Sequence, residues 1–510
     1  METYLLAHDL GTSGDKATLF SADGVLKGSC TVDYKTSYPG INMVEQQPED
    51  WWRAVCGSTK RLLDESGINA SQIAGISFSG QMMGCLLLDG KGEVIRPMIT
   101  WADSRAGTEE EFMIRQVGME HGYRITGHRL NSSYGAAKLL WIKNHEPDNY
   151  KRAVKMLNAK DYIVFRLTGR MMTDYSDASS TNLLDLDRKV WSDELTAAFG
   201  IRKELLPDLH KSATISGTVT REASCQVGLL QGTPVILGGG DGACACAGAG
   251  VVEPGSSYNV LGTSSWVASA ALKPHYAQDL STFNWVHLDE NLYTPCGTMQ
   301  AAGASYAWFR NQLGREEMET AKREGGSAYD RLNQLAEQSC PGAGGILYLP
   351  YLLGERSPRW DKKVRGAFLG LDISNTKEDM VRATLEGIGY NLRKIIDALG
   401  DDVHDSVTVI GGGARSRLWM QILADIWHKR LYIPEYQEEA TSIAAAVCAG
   451  VALGIYDGYE VIKKFNPCNA CVEPDERNYP VYDKMYRLFD KAYENLKELS
   501  GDIYEIKREG

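Results

Sequence analysis

Asp241 is the only acid in the run Gly238-Gly239-Gly240-Asp241-Gly242-Ala243-Cys244-Ala245-Cys246-Ala247-Gly248-Ala249-Gly250. A carboxylate fixed at such a turn can take a proton from a hydroxyl as that oxygen attacks. Taken alone, it reads equally as a helix-capping aspartate. A second acid, Asp9, stands just ahead of Leu10-Gly11-Thr12-Ser13. The same Leu-Gly-Thr-Ser returns half a chain later as Leu261-Gly262-Thr263-Ser264, this time behind Val260. Such a turn offers N–H groups and hydroxyls that can cradle a phosphate, although most turns of this type only reverse the chain. An acid on one copy alone suits a nucleotide with Mg2+, which keeps most of its waters and takes one or two protein oxygens.

Two more clusters have chemical potential. Gly80-Gln81-Met82-Met83-Gly84 brackets an amide and two thioethers between glycines at a strand end. That suits a ligand-facing loop, although paired methionines more often fill a core. Trp101, Asp103 and Arg105 alternate just ahead of a helix; the plainer interpretation is a helix start with an ion pair. Cys468 and Cys471 form a lone Cys-x-x-Cys, and without a second pair it does not make a zinc site.

The elements that must hold these residues follow from pattern. Residues 235–237 are a short β-branched run bounded by glycine, which predicts a buried strand entering a tight turn. Residues 3–8, 16–20 and 25–34 predict three strands, with Gly11–Ser13 between the first two. Pro48 opens a helix to 66, with acids in its first turn. Residues 73–79 predict a strand, and 134–145 and 161–167 helices; 170–232 is polar and mixed, with no element assigned. A second hairpin spans 257–261 and 266–270. Helices are expected at 303–313, 376–399 and 417–427, a strand at 407–410 running into Gly411-Gly412-Gly413-Ala414, and a charged helix over the last thirty or so residues. The small residues at 243–250 and 444–450 predict two helices pressed against other backbone. Hairpin, strand into glycines and small-residue helix all occur twice. This repeat implies two similar α/β domains facing across a cleft, with the hairpin turns meeting there and the small-residue helices crossing as a hinge.

Composition narrows the classes. The 510 residues are 43% hydrophobic and 24% charged, ordinary for a globular enzyme. A net charge of −12 argues against nucleic acid or an anionic membrane as main partner. No apolar run is long enough to span a bilayer, and the start has no basic region ahead of its short apolar run, so no signal peptide is expected. Eleven scattered cysteines fit reduced thiols and a cytoplasmic location.

One motif is highly specific. Gly366-x-Phe368-x-Gly370-Leu371, then Asp379-Met380, then Ala383-Thr384-Leu385-Glu386, matches a signature of the FGGY family of carbohydrate kinases. A second signature is partial: Lys138-Leu139-x-Trp141-Ile142-Lys143-Asn144-His145 fits, but Gly135 stands where the family favours Pro, Ser or Thr. The chain resembles that family, above all its xylulokinase-like members, over nearly its whole length. The resemblance implies two RNase H-like α/β domains of the actin, heat-shock chaperone ATPase and sugar-kinase superfamily, with 1–250 as the sugar and magnesium side and 251–510 as the nucleotide side with a helical tail. It implies ATP and Mg2+ as cofactors, a small sugar as substrate and Asp241 as catalytic base. Asp9 would organise the metal, and Gly11, Thr12, Ser13, Gly262, Thr263 and Ser264 would form the phosphate turns. Gly303, Gly412, Gly413 and Ala414 would complete the nucleotide site. Gln81, Met82, Met83, Trp101, Asp103 and Asp241 would face the sugar. A homodimer is an open expectation; nucleic acid and membrane are not expected partners. Two residues depart from the xylulokinase pattern: Met83 replaces a His in Gly-Gln-Met-His-Gly, and Gly242 replaces a usual Asn after the base. Both fall on the sugar side. A ketopentose such as D-xylulose is the expected substrate, with another ketose, polyol or sugar acid as alternatives. A non-catalytic actin-like nucleotide module or a sugar-binding regulator would share the hairpins, but neither needs Asp241 together with the Gln81 loop.

Overall fold

The computed structural model describes residues 2–509. Tyr4–Leu10 (β1), Gly14–Ser21 (β2) and Leu26–Asp33 (β3) form an antiparallel meander. Ile73–Gly80 (β4) joins β1 in parallel. Ile215–Thr218 (β5), Pro234–Ile236 (β6) and the two-residue strand Gly239–Gly240 (β7) complete a seven-stranded sheet. β1 and β4 are buried almost throughout, as expected where both faces of a sheet are covered.

The second half repeats this plan. Ser257–Leu261 (β8), Ser265–Ser269 (β9), Phe283–Val286 (β10) and Tyr293–Met299 (β11) are antiparallel neighbours. Ser406–Ile410 (β12) pairs in parallel with β8, Arg430–Pro434 (β13) in parallel with β12, and Cys468–Val472 (β14) antiparallel with β13. From the meander outward the two sheets follow one plan, an antiparallel run of three strands in the first and four in the second, then two parallel additions and an antiparallel edge. The fold is thus a mixed α/β arrangement built twice.

The helices start where local chemistry starts them. Pro48–Ser66 (α1) has proline in its first turn and stops at Gly67 in the left-handed region, φ 66°. Gly135–His145 (α2) and Ala159–Thr168 (α3) follow, then the five-residue Tyr175–Ser179 (α4). Asp241–Gly248 (α5) begins at the singled-out acid. Gly303–Leu313 (α6) follows the second hairpin. Lys377–Leu399 (α7) carries a Thr376–Asp379 capping box. Ala440–Ala452 (α8) is almost wholly buried, and Tyr479–Glu509 (α9) ends the chain.

α8 comes late in the sequence yet packs on β1 and β4 of the first sheet as well as on α5. Ile443 to Ala449 share one core cluster with Leu5, Ala7, Phe20, Ala243, Cys244 and Ala247. The expected crossing of the two small-residue helices is therefore present, and it is tight. A Cβ on Gly248 would lie 1.8 Å from the Ala440 carbonyl oxygen. The stretch 170–232, unassigned from sequence, contains α4, β5 and further short elements. All eleven cysteines are free, and no helix among the described residues is long and apolar enough to cross a membrane.

The specific signature on 366–386 turns out to be packing. Glu386 accepts from the Gly342 N–H (3.1 Å) and from Arg382 Nε (2.8 Å) inside the protein. A Cβ on Gly387, the next residue, would lie 2.2 Å from the Tyr348 carbonyl oxygen.

Candidate active site

Strand register brings the two acids together. Asp9 pairs with Ser79 on one side of β4, and Gly239 pairs with the same Ser79 on the other. Leu10 and Gly240 likewise flank Gly80. Asp9 and the Asp241 turn are thus two strand spacings apart, on the order of 10 Å between backbones, at the same end of the sheet. Asp241 is the first residue of α5, and its Oδ1 accepts the Gly242 N–H at 2.7 Å. Burial, and then the neighbouring Asp9 carboxylate, push Asp241 from its usual 3.8 up to about 7; the Gly242 N–H acts the other way. Burial also raises Asp9, opposed by hydroxyls of Thr441 and Ser79.

Asp9 has one satisfied oxygen and one free. Thr441 Oγ1, in the first turn of α8, donates to Oδ2 at 2.6 Å. Oδ1 is buried with no protein partner. A buried carboxylate oxygen without a donor is a group that a cation could satisfy.

The two Gly-Thr-Ser turns lie at the ends of their hairpins, with Thr12, Ser13 and Thr263 exposed and Gly11, Gly262 and Ser264 half-buried. Thr12 Oγ1 accepts from Trp101 Nε1 at 3.0 Å, and the Thr12 carbonyl accepts from Gln46 Nε2 at 2.7 Å. The second turn is embraced by the other glycines chosen from sequence. Gly303 N donates to the Gly262 carbonyl at 2.9 Å, and a Cβ on Gly303 would meet that oxygen at 2.5 Å. Gly411, with φ 92°, sits against the Leu261 backbone, and a Cβ on Gly413 would overlap the Leu261 side chain at 2.4 Å. Gly262, Thr263, Ser264, Gly303, Gly412, Gly413 and Ala414 are therefore one surface. Buried Glu355 supports it by accepting from Gln300 N (2.8 Å), Arg356 N (2.8 Å) and Asn391 Nδ2 (2.7 Å).

The residues chosen for the sugar side divide. Gln81 is fully buried; its Nε2 donates to Gln46 Oε1 at 2.7 Å and to the Gly11 carbonyl at 3.4 Å. It ties the loop to the first turn. Met82 is 3% exposed, and its side chain occupies the space a Cβ on Gly240 would need. It is the core filler that paired methionines usually are. Asp103 is also fully buried, its carboxylate held by Arg105 (Nη2 at 2.7 Å) and by Val44 N (2.6 Å). Met82 and the Asp103 carboxylate are thus already occupied by protein, whereas the Gln81 amide oxygen, Oε1, is buried without a protein partner. Met83 remains partly open. Its φ is 62°, its N–H donates to Ser180 Oγ at 3.1 Å, and its carbonyl accepts from Lys138 Nζ at 2.8 Å. Burial lowers Lys138 to about 7. Trp101 is 40% exposed.

Two participants escaped sequence reading. Thr441 lies in an unremarkable Glu-Glu-Ala-Thr-Ser stretch, and only the packing of α8 on β1 brings it to Asp9. Trp285, on β10, lies flat against Gly242: a Cβ there would meet Trp285 Cζ3 at 2.9 Å. The Trp285 Nε1 atom is buried without an acceptor. Its ring packs with Phe283 (5.2 Å) and His128 (6.3 Å between centroids).

Family models agree with this geometry. The N-terminal domain model of the FGGY family of carbohydrate kinases matches residues 4–248, and the C-terminal domain model matches 257–453. A xylulose kinase of Bacillus subtilis is 33% identical over 99% of both chains. A gluconokinase of Bacillus licheniformis is 32% identical over 97% of both. Among solved structures, gluconate kinase from Lactobacillus acidophilus superposes with a TM-score of 0.91 at 27% identity, covering 99% of this chain and 100% of that one. A ligand-bound xylulose kinase from the same organism also gives 0.91 at 27% identity, over 98% and 100%. The acids meeting at the sheet end, the paired phosphate-type turns and these matches lead to one conclusion: the chain belongs to the FGGY family of carbohydrate kinases and is an ATP-dependent sugar kinase.

Proposed function

We propose that the enzyme transfers the terminal phosphoryl group of ATP to a terminal hydroxyl of a ketopentose, D-xylulose being the first candidate, with Asp241 as general base. The observation that carries this is the Asp241 carboxyl, held near pKa 7 beside Asp9 at the sheet end. A base with that pKa is matched to proton removal near neutral pH. The proton leaves the sugar hydroxyl for an Asp241 oxygen as the hydroxyl attacks the γ-phosphorus of ATP, and the bond from that phosphorus to the bridging oxygen breaks to release ADP. The turns Gly11–Ser13 and Gly262–Ser264 supply donors for phosphate oxygens, and Gly303 with Gly412–Ala414 shapes the nucleotide surface. Phosphoryl transfer asks a protein mainly for such positioning and charge stabilisation. The division into a sugar side, 1–250, and a nucleotide side, 251–510, belongs to the same proposal.

Asp9 is the residue that would hold Mg2+, through its free Oδ1. Among the described residues no group of three His, Cys, Asp or Glu is placed to cage a metal, so phosphate oxygens and water would complete its shell. Bound there, Mg2+ would offset charge on the phosphates.

A sugar acid is the second reading. Arg356 lies over Phe283 at 5.9 Å and forms no carboxylate ion pair among the described residues. Arg356 stands against Phe283, which packs on Trp285 beside Gly242, and a free guanidinium there suits a substrate carboxylate. ADP formation measured across D-xylulose, L-xylulose, the ribuloses, polyols and aldonates tests both. Turnover of ketopentoses supports the first reading, turnover of aldonates alone replaces it with the second, and sugar-independent ATP hydrolysis alone overturns both.

A further inference from the structure

We propose that the short buried segment Asp174–Ser180, anchored by Lys160, positions the sugar side of the site, and that Ser176 is a positioning residue for Asp241. The proposal rests on the reading of Asp241 as the base.

The segment touches three site elements with three different hydroxyls. Ser176 Oγ accepts the Gly240 N–H at 2.9 Å. Gly240 precedes Asp241 and caps α5 with no side chain of its own, so Ser176 satisfies a donor that would otherwise be buried and unpaired. Ser180 Oγ accepts the Met83 N–H at 3.1 Å. Ser179 Oγ accepts the Val286 N–H at 3.4 Å, next to Trp285. One five-residue helix with its flanking residues thus meets the base turn, the Met83 loop and the Trp285 strand. The third of these belongs to the other sheet.

The segment is fixed from beneath by charge. Ser176 Oγ donates to Asp174 Oδ2, which also accepts from Ser212 Oγ at 2.8 Å. Asp174 Oδ1 lies 2.9 Å from Lys160 Nζ, and the same ammonium reaches Asp161 at 2.6 Å and Asp177 at 3.4 Å. Lys160, Asp174, Ser176 and Asp177 have no solvent exposure. Burying an ammonium among three carboxyls stabilises a fold poorly, because desolvation offsets the attraction. It does hold a geometry closely, since each group has few other partners. Lys160 is also pressed on the loop itself: a Cβ on Gly80 would lie 2.9 Å from Lys160 Cβ.

The site elements also need holding. Met83 has φ 62°, a conformation that is unfavourable for a side chain with a Cβ. Gly239 and Gly240 have no side chains with which to define their own path. Asp241 inherits the direction of its carboxylate from that backbone.

The test compares Ser176→Ala with Ser216→Ala, which removes another buried hydroxyl, one that donates to the Val235 carbonyl in the first sheet. The best-turned-over sugar of the screen serves as substrate. Ser176→Ala is expected to lower kcat by about 10- to 100-fold, the scale of a small misplacement of a reacting group. It should also raise KM for the sugar, leave KM for ATP in place and displace the acid limb of the kcat/KM pH profile. Ser216→Ala should lower Tm with none of these changes. If Ser176→Ala matches Ser216→Ala in all kinetic readouts, the proposal is overturned. If Ser176→Ala does not fold, Ser180→Ala is read instead: a higher sugar KM with little change in kcat supports the proposal, and an unchanged KM overturns it. Asp241→Asn run in parallel separates the layers. An active Asp241→Asn overturns the base and this role with it; an inactive one beside an unaffected Ser176→Ala overturns only the positioning.

Discussion

At the scale of residues, the site rests on two carboxyls whose environments differ. Asp241→Asn keeps the shape and removes the base. Turnover should fall by about 10²- to 10⁴-fold while MgATP binding, measured by calorimetry, stays near wild type. Substantial residual activity would remove Asp241 from its role. Its pKa of about 7 fixes the sign of two pH effects. A base must be deprotonated, so kcat/KM for the sugar should rise with pH through the Asp241 pKa, which burial lifts above its usual 3.8. For stability, a carboxyl raised in the folded state favours the protonated form. Its contribution is present below the unfolded value near 3.8 and is lost as pH rises through the folded value. Asp241→Asn should therefore melt higher than wild type at pH 8.5, and the difference should vanish by pH 4. Parallel melting curves at both pH values would show that Asp241 does not titrate in this way.

At the scale of elements, Gly242 and β10 pack together where the proposal puts the sugar. The sequence suggests two lost hydrogen-bonding side chains, at 83 and 242. The structure shows why restoring the second alone fails: the Trp285 ring already fills the space beside Gly242. Gly242→Asn should cost about 1–3 kcal/mol by overpacking, read as a lowered denaturation midpoint. Pairing it with Trp285→Ala should recover most of that. Trp285→Phe keeps the ring and removes the Nε1–H. Because that group is buried without a partner, its loss should cost sugar kcat/KM about tenfold with ATP KM unchanged. An unaltered sugar kcat/KM would mean that the indole N–H faces no substrate hydroxyl.

At the scale of the whole molecule, the α5–α8 crossing joins the two repeats. Gly248 has backbone where a Cβ would be, so Gly248→Ala must shift one helix against the other. Wild type is expected to compact when sugar and a non-hydrolysable ATP analogue bind together, seen as a smaller radius of gyration in solution scattering. Closure of this kind excludes the water that competes as acceptor. Gly248→Ala should lower Tm and alter the extent of compaction. Unchanged scattering and stability would show that the crossing is not the hinge.

The sequence by itself determined the parts that depend on local chemistry. Glycine turns at 11–13, 262–264 and 411–414, the helix opened by Pro48 and the capped helix starting after Thr376 are written in residues a few positions apart, so pattern is enough to find them. The duplicated plan was legible because each copy carries its own hairpin and small-residue helix. Asp241 could be chosen because it is the lone acid in its glycine run, and Asp9 because it stands ahead of the first copy of the repeated Leu-Gly-Thr-Ser where the second copy has Val260. The tertiary structure alone decided which residues touch across long separations. Thr441 reaches Asp9, and Trp285 covers Gly242, through packing between halves that leaves no periodic trace. Only the fold shows that Gln81 Nε2 donates to Gln46, that Met82 fills the space beside Gly240 and that Arg105 pairs with Asp103, since most buried polar groups find partners and most gaps are filled. Residues 170–232 gave no pattern because their elements are short and polar. Lys160 is tolerated inside by the charges of Asp161, Asp174 and Asp177, and its pairing with Asp174 and Asp177 exists in three dimensions alone.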